Sequence, residues 1–229
     1  MTAIDDLCQS WLDLKWHFDP AAGSAAGDTA SDGKLGRYDA ESMRTHLAAF
    51  RALAGAVEQL DTDELSEEID RTALLDEIRS TITRLSAERP AVRNPEFWLS
   101  HLFQGFYALL SRPGGSLAER APAALDRLRE VPAFLASARA TIEEPPAVFV
   151  DTALGMLGGG GTLLAQLAGA VASAAPAMAE EVNAATREAL EELASFGRAL
   201  RDEIEPDPEP RAFAIGEDQF DHRLHQEHA

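Results

Sequence analysis

Apolar residues recur along this chain every three or four positions, and no run alternates long enough to read as a strand. That period is the strongest constraint on the fold, because 3.6 residues per turn gathers such residues on one face of a helix. Ile4, Leu7, Cys8, Trp11, Leu14 and Phe18 form the first stripe, opened by Thr2-Ala3-Ile4-Asp5 and closed by Pro20. Met43, Leu47, Phe50, Val57 and Leu60 form a second behind Asp39 as cap. Ile69, Leu75, Ile78, Ile82 and Leu85 form a third behind Ser66. Val and Ile are sparse beside Ala and Leu, which favours helix over sheet. The expectation is an all-α, multi-helix array, and 229 residues are enough to bury a real core.

Glycine and proline punctuate the pattern. Ala21 to Gly36 reads as a small-residue loop, without the Lys and Ser/Thr that a phosphate cradle needs. Asn94-Pro95 is a cap followed by a first-turn proline, and opens the most aromatic helix, with Phe97, Trp98, Phe103, Phe106 and Tyr107. These aromatics occupy more than one face, so the helix is expected to be buried on several sides. Ser116-Leu117-Ala118-Glu119 is a capping box, and Pro132 is expected to break or restart the helix behind it. Glu143-Glu144-Pro145-Pro146 is a turn. Gly158-Gly159-Gly160-Gly161 reads as a flexible break between helices. A long helix is expected from about Ala177 to Glu203, with Met178, Val182, Ala189, Leu193, Phe196 and Leu200 on one side.

Alternating prolines in Glu205-Pro206-Asp207-Pro208-Glu209-Pro210 enforce an extended, solvated linker. The domain reading is therefore a helical domain over 1–204, a proline-rich acidic linker over 205–214, and the start of a further helix over 215–229. That last helical pattern stops before it is capped, as if a second half were missing.

A net charge of −19 argues against nucleic acid or an anionic membrane as partner, since phosphate binding needs clustered Lys and Arg. The single cysteine, Cys8, excludes an internal disulfide and reads as buried filler. The N-terminus shows no basic and apolar export signal, and the most apolar stretch, Thr162 to Ala179, is short and interrupted by Gly169 and Pro176. A cytoplasmic protein is expected. No H-E-x-x-H, G-x-S-x-G, C-x-x-C or G-x-G-x-x-G occurs. His222, His225 and His228 are spaced by three, which drifts by about 60° per step on a helix and does not converge on a metal. Glu67-Glu68, Glu180-Glu181 and Glu191-Glu192 point apart along helices, as solvated faces do. His101, one turn from Phe97, reads as a hydrogen-bonded core histidine. No catalytic, cofactor-binding or metal residue is assigned.

Five stretches carry a resemblance to a known family. They are Asp32-Gly33-Lys34-Leu35-Gly36-Arg37-Tyr38-Asp39, Leu60-Asp61-Thr62-Asp63-Glu64-Leu65-Ser66 and Asn94-Pro95-Glu96-Phe97-Trp98. Arg127-Leu128-Arg129-Glu130-Val131-Pro132-Ala133-Phe134-Leu135 and Ile215-Gly216-Glu217-Asp218-Gln219-Phe220 complete the set. In this order the chain resembles the N-terminal half of the bacterial family known as domain of unknown function 885. That family is similar to zinc-dependent peptidases of the all-helical, deep-channel kind, whose H-E-x-x-G-H-like signature lies in the C-terminal half.

The resemblance implies that these helices form one wall of a substrate channel. It implies zinc in the other half and none here. The expected function is the non-catalytic part of a zinc-dependent peptidase, inactive alone, with a C-terminal catalytic half or a separate complementing chain as partner and a peptide as substrate. The alternative is a free-standing helical module that binds a protein or peptide.

Overall fold

A computed structural model describes residues 2–228, and within the last helix the side chains of His222 and of residues 225–228 are outside the described set. The chain is 80% helical, and no strand occurs among the described residues. The helices are α1 (Ala3–Phe18), α2 (Pro20–Ala26), α3 (Ala40–Glu58), α4 (Leu65–Thr83) and α5 (Pro90–Arg93). They continue with α6 (Pro95–Ser111), α7 (Leu117–Thr141), α8 (Ala147–Ala174), α9 (Ala179–Asp202) and α10 (Glu217–His228). The chain divides into two compact units, one of residues 1–15, 40–90 and 214–229, the other of residues 16–39 and 91–213.

The first unit packs α3 on α4 and α10 on α4. Its core holds Ile4, Trp11, Phe50, Leu53, Val57, Leu75 and Ile78, with the Trp11 and Phe50 rings 5.5 Å apart. Thr2 and Asp5 cap α1 reciprocally, Asp5 N–H to Thr2 Oγ1 and Thr2 N–H to Asp5 Oδ2. Ser66 does not cap α4: the helix starts one residue earlier, behind Glu64, whose side chain makes no capping bond. Ile69 is exposed instead of inward.

The second unit stacks α9 on α7 and α8, with α6 against α2, α7 and α8. Asn94 Oδ1 accepts from Glu96 N–H at 2.9 Å, with Pro95 in the first turn, and the Ser116–Glu119 capping box opens α7. The aromatic helix is buried on several sides as its pattern requires, although Tyr107 faces out.

Three expectations fail here, each for a packing reason. Residues 21–36 are not one loop: Pro20–Ala26 is a helix capped by Asp19, and Thr29–Ser31 is a 3-10 turn capped by Asp28. Pro132 does not break α7, which runs through both Pro122 and Pro132. A proline inside a helix costs about 3 kcal/mol, and the buried row Leu125, Leu128, Val131, Phe134 and Leu135 on either side of Pro132 offsets it. The four glycines are not a break either. Helix α8 is continuous through them, because Gly160 is buried where a methyl would overlap the Phe103 ring of α6.

The apolar run around α8 is thereby longer than expected. The helix is 28 residues long, and an 18-residue window of it has a mean hydropathy of 1.4 and is 22% buried within the protein, so by length and composition it could cross a membrane. The core helix of a soluble protein has the same length and composition.

Candidate functional site

The most elaborate polar assembly lies in the second unit, where the segment 19–39 lies against α6 and α7. Arg127 of α7 is fully buried. Its Nε donates to the Lys34 carbonyl at 3.0 Å, and its Nη2 donates to Ser24 Oγ at 3.0 Å and the Ser31 carbonyl at 2.7 Å. Burial pulls its guanidinium down to about 10, against the opposing charges of Asp32, Glu130 and Asp19. Arg112, at the end of α6, meets Asp32 in a bidentate pair with both distances 2.7 Å, and also donates to the Ser24 carbonyl. That pair is nearly dry, with 9% and 5% of the side chains exposed. The hydrogen bonds from Arg112 to Asp32 raise the arginine above its ordinary range. Removing one partner of so buried a pair leaves a stranded charge and costs about 3–5 kcal/mol.

Arg112, at Asp32, and Arg127, at Lys34, hold residues 32–39 as a strap that is extended from residue 34 onward. Leu35 N–H donates to Glu130 Oε2 at 2.8 Å, anchoring the strap to α7 from the other side. Tyr38 ends the strap fully buried, its ring within 4.8–6.1 Å of those of Phe97, His101, Phe18, Trp98 and Phe134. Burial, then the charge of Asp19, pushes its hydroxyl well above the ordinary tyrosine value. His101 sits at the rim, its ring Nδ1 2.6 Å from the Phe97 carbonyl and its Nε2 3.7 Å from Asp19 Oδ2. It is hydrogen-bonded as its sequence position implies, but part-buried instead of within the core.

Between the strap and α7 lies a cleft of about 110 Å³. Leu35, Gly36, Arg37 and Asp39 form one side, Glu130, Ala133 and Ser137 the other, and Trp98 and Phe134 the floor. Three of the stretches that carry the family resemblance, residues 32–39, 94–98 and 127–135, therefore converge on one place. Chemically the cleft offers two carboxylates, a guanidinium and a hydroxyl at the rim of an aromatic floor, groups suited to holding a polar chain.

The other candidates fall elsewhere. Cys8 is half-buried on α1, and burial raises its thiol, assisted by Asp70 and Asp5, so it is a poor nucleophile. Glu68 is engaged by Arg71 and Thr62, and those hydrogen bonds lower its carboxyl to about 2. Glu181 pairs with Arg129 at 2.6 Å. The side chains of His222, His225 and His228 lie outside the described residues. Among the described residues no three His, Cys, Asp or Glu side chains gather as a metal site would need. Reading local pattern missed the ties of Arg112 to Asp32 and of Arg127 to Ser24, 80 and 103 residues apart in sequence, and the ring cluster around Tyr38.

These features define an all-α protein whose ordered polar centre is a strap tied to two helices by arginine. The fold is shared with a solved structure from Shewanella oneidensis, described as "a putative lipoprotein of unknown function", with a TM-score of 0.79 and 17% identity. The match covers 99% of this chain and 42% of that one, so the chain spans less than half the length of its structural relative. The chain belongs to the bacterial proteins of unknown function grouped as DUF885, whose family model matches residues 20–229. None of the curated proteins matches it.

Proposed function

We propose that this chain is the non-catalytic helical part of a zinc-dependent peptidase and that the strap cleft belongs to the wall of its substrate channel. The observation that carries the reading is the convergence of three family-bearing stretches on one cleft with an aromatic floor and a charged rim. Such a cleft can orient a peptide: Arg37 meets a carboxylate, Glu130 or Asp39 meets a cation, and Trp98 and Phe134 back an apolar side chain. The match of nearly the whole chain to part of a longer relative supports its being one section of a larger molecule. In this reading the zinc, which activates water for peptide hydrolysis, and the general base belong to the remainder of that molecule. Peptide selection by charge, with basic peptides preferred, follows from the −19 charge. A cytoplasmic location is kept as part of the proposal, and cell fractionation with recovery in the membrane fraction would remove it.

The test compares this chain with the longer Shewanella protein on a quenched fluorescent peptide library, with zinc and with chelator. The expected result is zinc-dependent cleavage by the longer protein and peptide binding without cleavage by this chain. Cleavage by this chain alone, or none by the zinc-loaded longer protein, sinks the peptidase reading. Binding by this chain with no cleavage by either protein supports the alternative, a free-standing peptide-binding module.

A further inference from the structure

Two fully buried polar atoms in the strap assembly have no hydrogen-bond partner in the protein: the Tyr38 hydroxyl and Arg127 Nη1. A buried donor left dry is costly, so two in one assembly call for a physical account.

Both border the strap. Arg127 grips the strap at the Lys34 carbonyl, and the Tyr38 hydroxyl lies over Gly36, two residues on. On α6, a methyl at Gly105 would stand 2.6 Å from Arg127 Nη1, and the His101 ring, one turn earlier on the same face, lies 4.9 Å from the Tyr38 ring. The Arg127 charge reaches the Tyr38 hydroxyl, and the Asp19 charge reaches both groups. Asp19 Oδ1 accepts from Ala22 N–H, and its Oδ2 lies 3.7 Å from Nε2 of His101, whose ring stands against that of Tyr38. A polar separation beyond hydrogen-bond length beside orphaned donors is where an ordered water sits. Two donors and a carboxylate acceptor supply the two to four partners that a buried water requires. An anion in its place would face Asp19, Asp32 and Glu130, all of whose charges act on Arg127.

We propose that an internal water is bound between the Tyr38 hydroxyl and Arg127 Nη1, accepting from both and donating to Asp19 Oδ2. The glycines at 36 and 105 are then part of the site, because a side chain at either would displace the groups that hold the water. The water ties the strap to α7 through Arg127 and to the Asp19 cap of α2, and so fixes the wall of the cleft from behind.

The test is a crystal structure of the 229-residue chain at a resolution that shows ordered water, together with the unfolding equilibrium of Tyr38→Phe. The expected result is a single water-sized density peak in hydrogen-bond range of both atoms. Tyr38→Phe should raise the unfolding constant about tenfold, because the water loses a partner and Arg127 is stranded further. No peak between the two atoms overturns the proposal, as does a peak that only a larger buffer ion fits. So does an unfolding constant that is unchanged or lower in Tyr38→Phe, the result expected if the hydroxyl is simply a dry orphan.

Discussion

Helices α8 and α9 pack against each other and have similar lengths, 28 and 24 residues, yet they are built on opposite plans. α9 is amphipathic: Val182, Ala185, Ala189, Leu193, Phe196 and Leu200 are buried, and its other face carries Glu180, Glu181, Glu188, Glu191 and Arg198. α8 has one charged residue, Asp151, and carries Gly155, Gly158, Gly159, Gly160, Gly161 and Gly169. A glycine inside a helix costs about 1 kcal/mol relative to alanine. Two positions show what such a cost can obtain. Gly160 lets the Phe103 ring of α6 into the space of a side chain, and on α9 a methyl at Gly197 would stand 2.8 Å from Leu157 of α8. Around Gly155, Gly158, Gly159 and Gly169 a methyl would meet nothing within 4 Å. α9 is held by its stripe, whereas α8 adds to a buried row of Val150, Leu164, Leu167 and Val171 one bare position, Gly160, where a neighbouring ring enters, and the two respond differently to substitution.

The largest effect should come from α9. Phe196→Ala removes a fully buried ring and is expected to cost about 3–5 kcal/mol in urea unfolding; a loss below about 1 kcal/mol would mean that the stripe is not what holds this helix. Next comes Gly160→Ala on α8, where the added methyl overlaps the Phe103 ring. A loss of about 1–3 kcal/mol is expected, and the double variant Gly160→Ala with Phe103→Ala should recover part of it. An unchanged midpoint in Gly160→Ala would show that the four glycines are spacing and not contact. Gly159→Ala should act in the opposite direction, stabilising by about 0.4–1 kcal/mol through helix propensity alone. Loss of stability there would place an unrecognised contact on the outer face of α8. The smallest effect belongs to the rim: Glu181→Gln breaks the exposed pair with Arg129 and should move stability by no more than about 1 kcal/mol, read as a shift in midpoint between low and high salt.

The same contrast explains how much was legible in the sequence. α9 was readable because burial and periodicity agree residue by residue, and its start and end were placed within two residues. Asn94-Pro95 and Ser116–Glu119 were readable because a cap is a local event, complete within four residues. Pro132 and Gly158–Gly161 misled because their local cost is real, and packing with elements far along the chain overrides it. Residues 21–36 looked like a loop because helix α2 is short and made of small residues, which carry little stripe. At the candidate site the stretches were visible and the chemistry was not. Residues 32–39 and 127–135 stood out by resemblance, but nothing local states that Arg127 reaches Ser24, Ser31 and Lys34 or that Arg112 faces Asp32. Ser66 failed for a smaller reason: a good capping residue one position inside the helix caps nothing.

The turn after α7 has a consequence for how the chain is threaded. Glu143 N–H donates to the Val92 carbonyl, Asp207 N–H to the Pro145 carbonyl, and Arg93 pairs with Asp207 at 2.7 Å across 114 residues of sequence. The two ends of the stretch from α5 to the close of α9 are therefore neighbours. Closing a long loop costs little more than closing a short one. A cut at Gly114–Gly115, whose positive φ angles mark a tight exposed turn, would therefore leave two fragments still clasped at Arg93 and Asp207.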